Sequence, residues 1–385
     1  MAKCALPLVK GIEMSRYAHY FIKPQGVYAL SHSVGPMTLA AKEAIQNHYI
    51  NQWEEHGGDA WAYWLEQISK FNVQLASLLN VQAEEICPQP SVSLGFSLWL
   101  SAALKAFKSD KPRTILMHKS AFPSLGFAVH GLSETYNIKC VFVDGDPNNL
   151  SAWESALIAH KPFACLFTHA HSNTGHLSDI KMLVALARQH NTLIAVDIAQ
   201  SVGIIPIDLK SWKVDCVVGS CVKWLSGGPG AGFIWLPKES IKHYLPDHVA
   251  WFSHENPFDF DIQHFNYHPD ARRFWGGTPN VQSYIAAAAS IESLAEIGID
   301  TLRKYNRELI AQFLSNYPHK IPSHYQQNSY SATLCLPLPA NQADRILKKL
   351  QQADVKFDER YSTIRLSFSA INTLDDVALI QACTK

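Results

Sequence analysis

Short apolar runs alternate with helical periods between about residues 85 and 236, and this alternation constrains the fold more than any other feature of the chain. Six runs predict buried strands: Thr114 to Met117, Cys140 to Val143, Phe163 to Phe167, Leu193 to Val196, Cys216 to Ser220 and Gly232 to Leu236. Strands that alternate with helices predict an α/β protein with a mostly parallel sheet covered by helices on both faces. Ligands of such sheets bind at the carboxyl ends of the strands.

One of the intervening helices has clear signals at both ends. Ser178 is placed to cap its first turn, and Asn191 ends it. Its apolar residues fall on one face, as a helix packed on a sheet requires: Ile180, Leu183, Val184 and Ala187.

After Trp251 the strands and helices no longer alternate one to one, and we expect a smaller α+β domain. The predicted elements are helices over Val281 to Glu296, Asp300 to Tyr317 and Asn341 to Gln352, strands over Ser331 to Leu336 and Thr363 to Phe368, and a last helix opened by a capping box at Thr373. The expected organisation is therefore an N-terminal arm over residues 1–25 that packs with the small domain, a large domain over 26–250 and a small C-terminal domain over 251–385.

Charge and composition argue against several classes of protein. The formal net charge is zero, so no basic field recruits nucleic acid or an anionic membrane. Apolar residues never run 18 together, and the N-terminus does not resemble a signal peptide. The eight cysteines include no C-x-x-C pair, and no H-E-x-x-H occurs among the 18 histidines. We expect a cytoplasmic protein without a structural metal.

The stretch from Leu193 to Leu236 carries the chemistry. Asp197 closes one predicted strand, Ser220 closes the next, and Lys223 follows just before a glycine-rich turn. An apolar strand on one side and glycines on the other are unusual neighbours for a solvated surface lysine. A carboxylate for a pyridinium nitrogen, an amine for an aldehyde and a hydroxyl for a phosphate are what pyridoxal phosphate requires of a protein.

The same stretch resembles the class V aminotransferases, a family of fold-type I pyridoxal-phosphate enzymes that also holds kynureninases and cysteine desulfurases. Its pattern, D-x-x-Q/H-x-x-G followed by S-x-H/Y-K-W/L and G-P-x-G-x-G, is matched by Asp197, Gln200, Gly203, Ser220, Lys223, Trp224, Gly228, Pro229, Gly230 and Gly232. The resemblance covers about residues 30 to 385. It implies the fold-type I transferase fold, whose large domain has a seven-stranded, mostly parallel sheet, and pyridoxal 5'-phosphate as the cofactor.

The resemblance also assigns roles around the cofactor ring. Lys223 would attach the cofactor covalently, Asp197 would hold its pyridine nitrogen protonated, and Gln200 would bond its phenolic oxygen or a neighbouring group. Phe122, in the segment AFPS, matches the aromatic residue that stacks on the ring in kynureninases. Asn173, in HAHSNTG, would face the phenolic oxygen.

Other roles concern the phosphate and the substrate. Ser220 matches the phosphate-binding serine, and Ser91 with Val92 matches a segment that offers hydroxyl and amide groups at a helix N-terminus. Arg365, in IRLSFSAINT, matches the arginine that binds the substrate's α-carboxylate in a bidentate pair.

Two further positions imply a homodimer with a shared site. Trp251, in WFSHE, and Thr278, in GGTPN, match residues that reach the phosphate of the neighbouring subunit in relatives.

The N-terminal segment SHSVGPM (31 to 37) is kynureninase-like, but three departures argue against kynureninase chemistry. Gln200, Val222 and Leu125 stand where kynureninase has His, Tyr and Asp. Cysteine desulfurases carry a cysteine shortly before the carboxylate-binding arginine, and none lies between Ala353 and Arg365. We therefore expect transamination of an amino acid. A kynureninase-like hydrolase or lyase is the second reading and an amino-acid epimerase the third.

Two readings from other classes are weaker. A non-catalytic binding protein on the same scaffold would lack the lysine or the aspartate. A doubly wound nucleotide-binding protein would carry G-x-G-x-x-G between a strand and a helix, whereas Gly228, Gly230 and Gly232 precede a strand.

Overall fold

The structure is a computed structural model that describes residues 16–385. Its helices are α1 (Leu39–Ala44), α2 (Asn51–His56), α3 (Trp61–Leu79), α4 (Val92–Ala106), α5 (Pro123–Tyr136), α6 (Leu150–His160), α7 (Ile180–Gln189), α8 (Lys238–Ile241), α9 (Val281–Ile297), α10 (Ile299–Ser315), α11 (Ser323–Gln326), α12 (Ala343–Gln352) and α13 (Leu374–Thr384). Its strands are β1 (Val27–Tyr28), β2 (Ile86–Gln89), β3 (Arg113–His118), β4 (Ile138–Val143), β5 (Ala164–Thr168), β6 (Leu193–Asp197), β7 (Cys216–Ser220), β8 (Gly232–Trp235), β9 (Thr333–Pro337), β10 (Val355–Lys356), β11 (Asp358–Arg360) and β12 (Thr363–Ser367).

The largest sheet has seven strands in the order β2-β8-β7-β6-β5-β3-β4. Only β8 runs against its neighbours, so the carboxyl ends of the other six strands lie at one edge. This confirms the predicted α/β fold with a large, mostly parallel sheet. The six strands predicted from the sequence are all present, with boundaries that differ by two residues or fewer.

The sheet is buried on both faces because successive side chains point to opposite sides. Leu116 packs into one hydrophobic core, whereas its neighbours Ile115 and Met117 pack into the other. Helices α3, α7 and α9 contribute to the first core, and α4 and α5 contribute to the second. A strand with two apolar faces reads as a continuous apolar run, which is why these strands were recognisable in the sequence.

A third core joins α10, α12 and α13 to the antiparallel sheet β11-β12-β9. The predicted capping box of α13 is present: Thr373 Oγ1 accepts from the Asp376 amide at 3.2 Å, and Asp376 accepts from the Thr373 amide at 3.1 Å. The N-terminal cap of α7 is Asp179 and not the predicted Ser178, because the Asp179 carboxylate accepts from the Met182 amide. Ser178 instead bonds His171 at 3.0 Å.

The division of the chain into an arm, a large domain and a small domain stays a prediction. Of the predicted arm, residues 1–15 lie outside the described residues. Phe21 packs in the first core, and Lys23 lies 3.8 Å from Asp376 in α13. β1 pairs with β10. Helix α9 packs in the first core and α10 in the third. No helix within residues 16–385 is both long and apolar enough to cross a membrane.

Candidate active site

Three adjacent strands of the large sheet end in polar side chains at the same edge. Thr168 ends β5, Asp197 ends β6 and Ser220 ends β7. Thr168 and Asp197 are direct partners in the ladder, and Asp197 is opposite Val218, two residues before Ser220. Parallel strands therefore bring these side chains together, as the sequence predicts.

Lys223 lies in the turn that follows β7, and the N-terminal segment packs closely over this turn. The Gly35 amide donates to the Val222 carbonyl at 2.8 Å. A Cβ atom at position 35 would stand 2.0 Å from the Lys223 carbonyl oxygen, so only glycine fits there. Gln200 Nε2 donates to the His32 carbonyl at 3.1 Å and ties the same segment to the loop after β6.

A cavity of about 190 Å³ occupies this edge of the sheet. Its walls come from five chain segments and contain most of the predicted site residues. They are Ser91, Val92, Ser93, Phe122, Ser124, Leu125, Thr168, Ala170, Ser172, Asp197, Ala199, Gln200, Ser220, Val222 and Lys223.

One wall of the cavity is the N-terminus of α4. Ser91 is its N-cap, and the Ser91 hydroxyl accepts from the Leu94 amide at 3.2 Å. The first amides of an α-helix have no partner within the helix, and the helix dipole adds positive potential at this end. Val92 and Ser93 supply such amides beside the cavity, and together with the Ser220 hydroxyl they suit a phosphate dianion.

The Phe122 ring faces Lys223 across the cavity. Lys223 Nζ lies 5.7 Å from the centre of the ring. Phe122 is 40% exposed and immediately precedes α5, which begins at Pro123, so the ring projects from a helix start and not from the core. An aromatic face next to the amine is suited to stacking against a planar ring.

Burial changes the proton affinities of the two charged groups in the cavity. It lowers the pKa of Lys223, and the positive charges of Arg365 and Arg360 lower it further, while Asp197 acts in the opposite direction. Burial also raises the pKa of Asp197, against the opposing effects of a hydrogen bond from the Ala199 amide at 2.9 Å and of Lys223. Each group therefore needs an opposite charge nearby in order to stay ionised.

Several buried polar atoms in the cavity wall have no hydrogen-bond partner within the described residues. They include the Gln200 Oε1, Thr168 Oγ1 and Ser172 Oγ atoms. Buried polar groups are normally satisfied, so atoms of this kind in a cavity wall indicate a polar ligand. Donors for a phosphate, an aromatic face, a carboxylate and an amine within one cavity match the chemistry of pyridoxal phosphate, and the residues present fit that cofactor.

Arg365 lies in β12 and is almost fully buried, with 1% of its surface exposed. Its Nη1 donates to the Ser172 carbonyl at 2.9 Å, and its Nη2 bonds Asp358. Its buried Nε has no partner among residues 16–385. The guanidinium therefore adjoins the cavity through Ser172 and retains one unsatisfied donor within the described part of the chain.

Besides Arg365, three of the predicted site residues do not line the cavity. Ser172 and not Asn173 forms its wall, and Asn173 Oδ1 accepts from Arg360 Nη1 at 3.1 Å. Trp251 packs against Trp61 and Phe258, and Thr278 is exposed. The predicted roles of all three residues stay predictions.

Other residues near the site were not identified from the sequence: His32, Asp358 and Arg360. His32 Nδ1 lies 2.9 Å from Ser367 Oγ, and Ser367 follows Arg365 by two residues but is 335 positions away from His32. No local pattern marks such a contact. The sequence offers one signal for two of them, because Asp358 and Arg360 lie a few residues before the predicted carboxylate-binding arginine.

Comparison with known proteins identifies the family of the chain. The sequence model of the family "Aminotransferase class-V" matches residues 38–380. An uncharacterized aminotransferase, YcbU, of Bacillus subtilis is 29% identical over 70% of the chain and 69% of its own length. A kynureninase of Burkholderia mallei is 26% identical over 81% of the chain and 75% of its own length. A cysteine desulfurase from Thermococcus onnurineus has the same fold, with a TM-score of 0.81, 18% identity and 93% of both chains covered.

The fold and the site define a fold-type I pyridoxal-phosphate enzyme. With the family match over nearly its whole length, the chain belongs to the class V aminotransferase family. Its cofactor is pyridoxal 5'-phosphate, and it acts on amino acids, as the sequence predicts.

Proposed function

We propose that this enzyme transfers the amino group of an amino acid, with Lys223 as the lysine that binds the cofactor. The observation that carries the proposal is that Lys223 lies at the carboxyl edge of the sheet, 5.7 Å from the Phe122 ring, in the same cavity as Asp197. The bound cofactor supplies an electron sink that stabilises negative charge on the substrate's α-carbon.

The protein supplies the rest of the chemistry. The lowered pKa of Lys223 favours the neutral amine. Nζ could therefore accept the proton from the substrate's α-carbon and return it to a nearby carbon of the cofactor. The Asp197 carboxylate keeps a proton on the pyridine nitrogen, because an ion pair in a buried place stabilises both charges. Arg365 binds the substrate's α-carboxylate and so orients the α-hydrogen toward Lys223.

Three cavity residues favour transamination over kynureninase-type hydrolysis. Gln200, Val222 and Leu125 stand where the kynureninase pattern has His, Tyr and Asp, and all three line the cavity. The apolar Val222 and Leu125 side chains can neither donate nor accept a hydrogen bond there. The site therefore has fewer groups that could position or activate the water molecule that hydrolysis requires.

Hydrolytic cleavage of a kynurenine-like substrate is the second candidate. It is supported by the kynureninase relative, which aligns with 81% of the chain, more than the aminotransferase relative does. Sulfur transfer has less support, since the described segment from Ala353 to Arg365 contains no cysteine that could act as an acceptor.

We also infer that the active form is a homodimer and that the protein is cytoplasmic. Exposed Thr278 and half-buried Trp251 lie outside the cavity of their own chain, which supports a role in the site of a second copy. The seven cysteines within residues 16–385 are all unpaired, which supports a reducing compartment.

A substrate screen tests the proposed reaction. Cofactor-loaded protein is incubated with L-amino acids and several keto acids, and with L-kynurenine alone. We expect a new amino acid and a new keto acid in equal amounts, because one amino group is exchanged. Release of anthranilate and alanine from L-kynurenine would promote the second candidate. Racemised substrate without a keto acid would indicate an epimerase.

The binding of amino acids to cofactor-loaded variants tests the role of Arg365. Arg365→Ala should weaken amino-acid binding by about thirtyfold or more, because removal of one member of a buried charged pair costs about 2–5 kcal/mol. Arg365→Lys should recover little, because an ammonium group cannot form a bidentate pair. Unchanged cofactor binding in both variants is the control.

A further inference from the structure

Two arginines share one carboxylate beside the cavity. Asp358 and Arg365 face each other across the antiparallel pair β11–β12, and Asp358 Oδ2 bonds Arg365 Nη2. The same oxygen lies 3.6 Å from Arg360 Nη2 and 3.9 Å from His32 Nε2. We call Asp358, Arg360 and Arg365 the arginine cluster.

The cluster carries one excess positive charge. His32 adds none near neutral pH, because burial and the nearby cations Arg365, Lys223 and Arg360 hold its pKa well below the ordinary value. Both arginines also lower the pKa of Lys223, so their positive potential reaches the amine in the cavity. A ligand at Lys223 therefore lies in the field of both guanidinium groups as well as that of Asp197.

The one excess positive charge of the cluster would be neutralised by one further carboxylate. When a substrate's α-carboxylate binds Arg365, it and Asp358 together neutralise the two guanidinium groups. A second carboxylate on the substrate side chain would be in excess. Its nearest available cation would be Arg360, whose side chain is 37% exposed but already lies 3.6 Å from Asp358. A second substrate carboxylate that reached Arg360 would therefore lie close to Asp358, and like charges at short range repel each other when water is partly excluded.

We propose that Asp358 is a specificity-determining residue that restricts the substrate to amino acids whose side chain carries no carboxylate. The proposal rests on the proposed role of Arg365 as the residue that binds the α-carboxylate. Specificity of this kind comes from a repulsive element that penalises the wrong ligand, and not only from attraction to the right one.

Binding of two unreactive acids tests the proposal without depending on turnover. Glutarate has two carboxylates, and glutaramate has the same shape with one carboxylate replaced by an amide. Calorimetric titration of the cofactor-loaded wild-type enzyme should give a dissociation constant for glutaramate about tenfold or more below that for glutarate. Equal or tighter binding of glutarate by the wild-type enzyme would overturn the proposal.

Removal of the charge at position 358 should reverse this preference. Asp358→Asn keeps the shape of the side chain. It should strengthen the binding of glutarate relative to that of glutaramate by about tenfold or more. Adding Arg360→Gln to that variant should remove the gain, because Arg360 is then no longer available to the second carboxylate. The matched control is Glu359→Gln, which removes the exposed neighbouring carboxylate and should leave the ratio unchanged.

The outcomes separate this proposal from the proposed function. If Arg365→Ala leaves the binding of glutaramate unchanged, Arg365 does not bind the carboxylate, and the proposed function itself loses support. If Arg365→Ala weakens glutaramate but Asp358→Asn leaves the ratio of the two acids unchanged, only the role of Asp358 is wrong. If Asp358 has a purely structural role, Asp358→Asn should weaken the binding of both acids equally, and that result would also contradict the proposal.

Discussion

Lys223 and Asp197 are oppositely charged side chains in a place from which water is largely excluded. Only 6% of the Asp197 surface is exposed, and burial shifts the pKa values of both groups toward their neutral forms. A protonated pyridine nitrogen beside Asp197 would give its carboxylate a partner, so that both remain charged. Lys223 would then be free to act as a base.

Asp197→Asn keeps the size of this side chain and removes its charge. We expect the exchange of the substrate's α-proton to slow by about a thousandfold or more, which corresponds to about 4 kcal/mol of barrier. Proton exchange in deuterated water, followed by NMR, measures this rate. The control is Asp215→Asn, since Asp215 lies near the opposite end of β6 and bonds the Ile194 amide at 2.7 Å. Near wild-type exchange in Asp197→Asn would rule out the proposed role.

The sequence identifies residues that are defined by their neighbours along the chain. Asp197, Ser220 and Lys223 each follow an apolar strand, so their position at the sheet edge could be predicted. Asp358 and His32 could not be found in this way. Their contacts depend on which distant segments pair, and a single sequence does not determine such pairings.

At the scale of elements, the N-terminus of α4 is expected to serve both helix stability and cofactor binding. Ser91 caps the helix, and the first amides of α4 face the cavity. Loss of an N-cap costs about 1 kcal/mol on its own, so Ser91→Ala cannot separate a structural role from a role in phosphate binding.

Ser91→Asp separates the two roles. Aspartate is as good an N-cap as serine, but its negative charge should repel the phosphate. We expect the dissociation constant for pyridoxal phosphate, measured by absorbance titration of the apoenzyme, to rise about tenfold or more while the unfolding midpoint changes little. Asn149→Asp, which changes the N-cap of α6 in the same way, is the control. If Ser91→Asp binds the cofactor normally, the phosphate does not lie at α4.

Long elements were predicted better than short ones. The buried strands β3 to β8 carry continuous apolar runs, and α9 and α10 were predicted to within two residues. The strands β1, β10 and β11 contain only two or three residues, too few to show a period. Yet β11 carries Asp358 and Arg360, so one of the least predictable elements holds part of the proposed substrate site.

At the scale of the whole molecule, the N-terminal segment links the third core to the cavity. Ala29 belongs to the third core, its carbonyl accepts from the Ser367 amide at 2.9 Å, and Gly35 packs on the lysine turn. Leu30 pairs with Ser367 on the same edge of β12 that pairs with β11, the strand that bears Asp358. Elements from both ends of the chain thereby hold Arg365 and Lys223, the residues proposed to bind the substrate and the cofactor.

Mixed dimers test the proposal that two chains share each site. Neither Lys223→Ala nor Thr278→Ala should be fully active alone. Mixing them should restore activity, because one of the two sites in a hybrid dimer combines an intact Lys223 with an intact Thr278 from the other chain. Activity assays before and after mixing, together with sedimentation, provide the measurement. A fully active monomer, or no recovery in hybrids whose formation is verified, would refute the shared site.

The central claim is that Lys223 binds the cofactor covalently, and reduction with borohydride tests it most directly. The reducing agent makes the bond between pyridoxal phosphate and its lysine permanent, so that peptide mapping by mass spectrometry identifies the residue. We predict a single labelled lysine, Lys223, in the wild-type protein and no label at any lysine in Lys223→Ala. A label on another lysine of the wild-type protein would contradict the account.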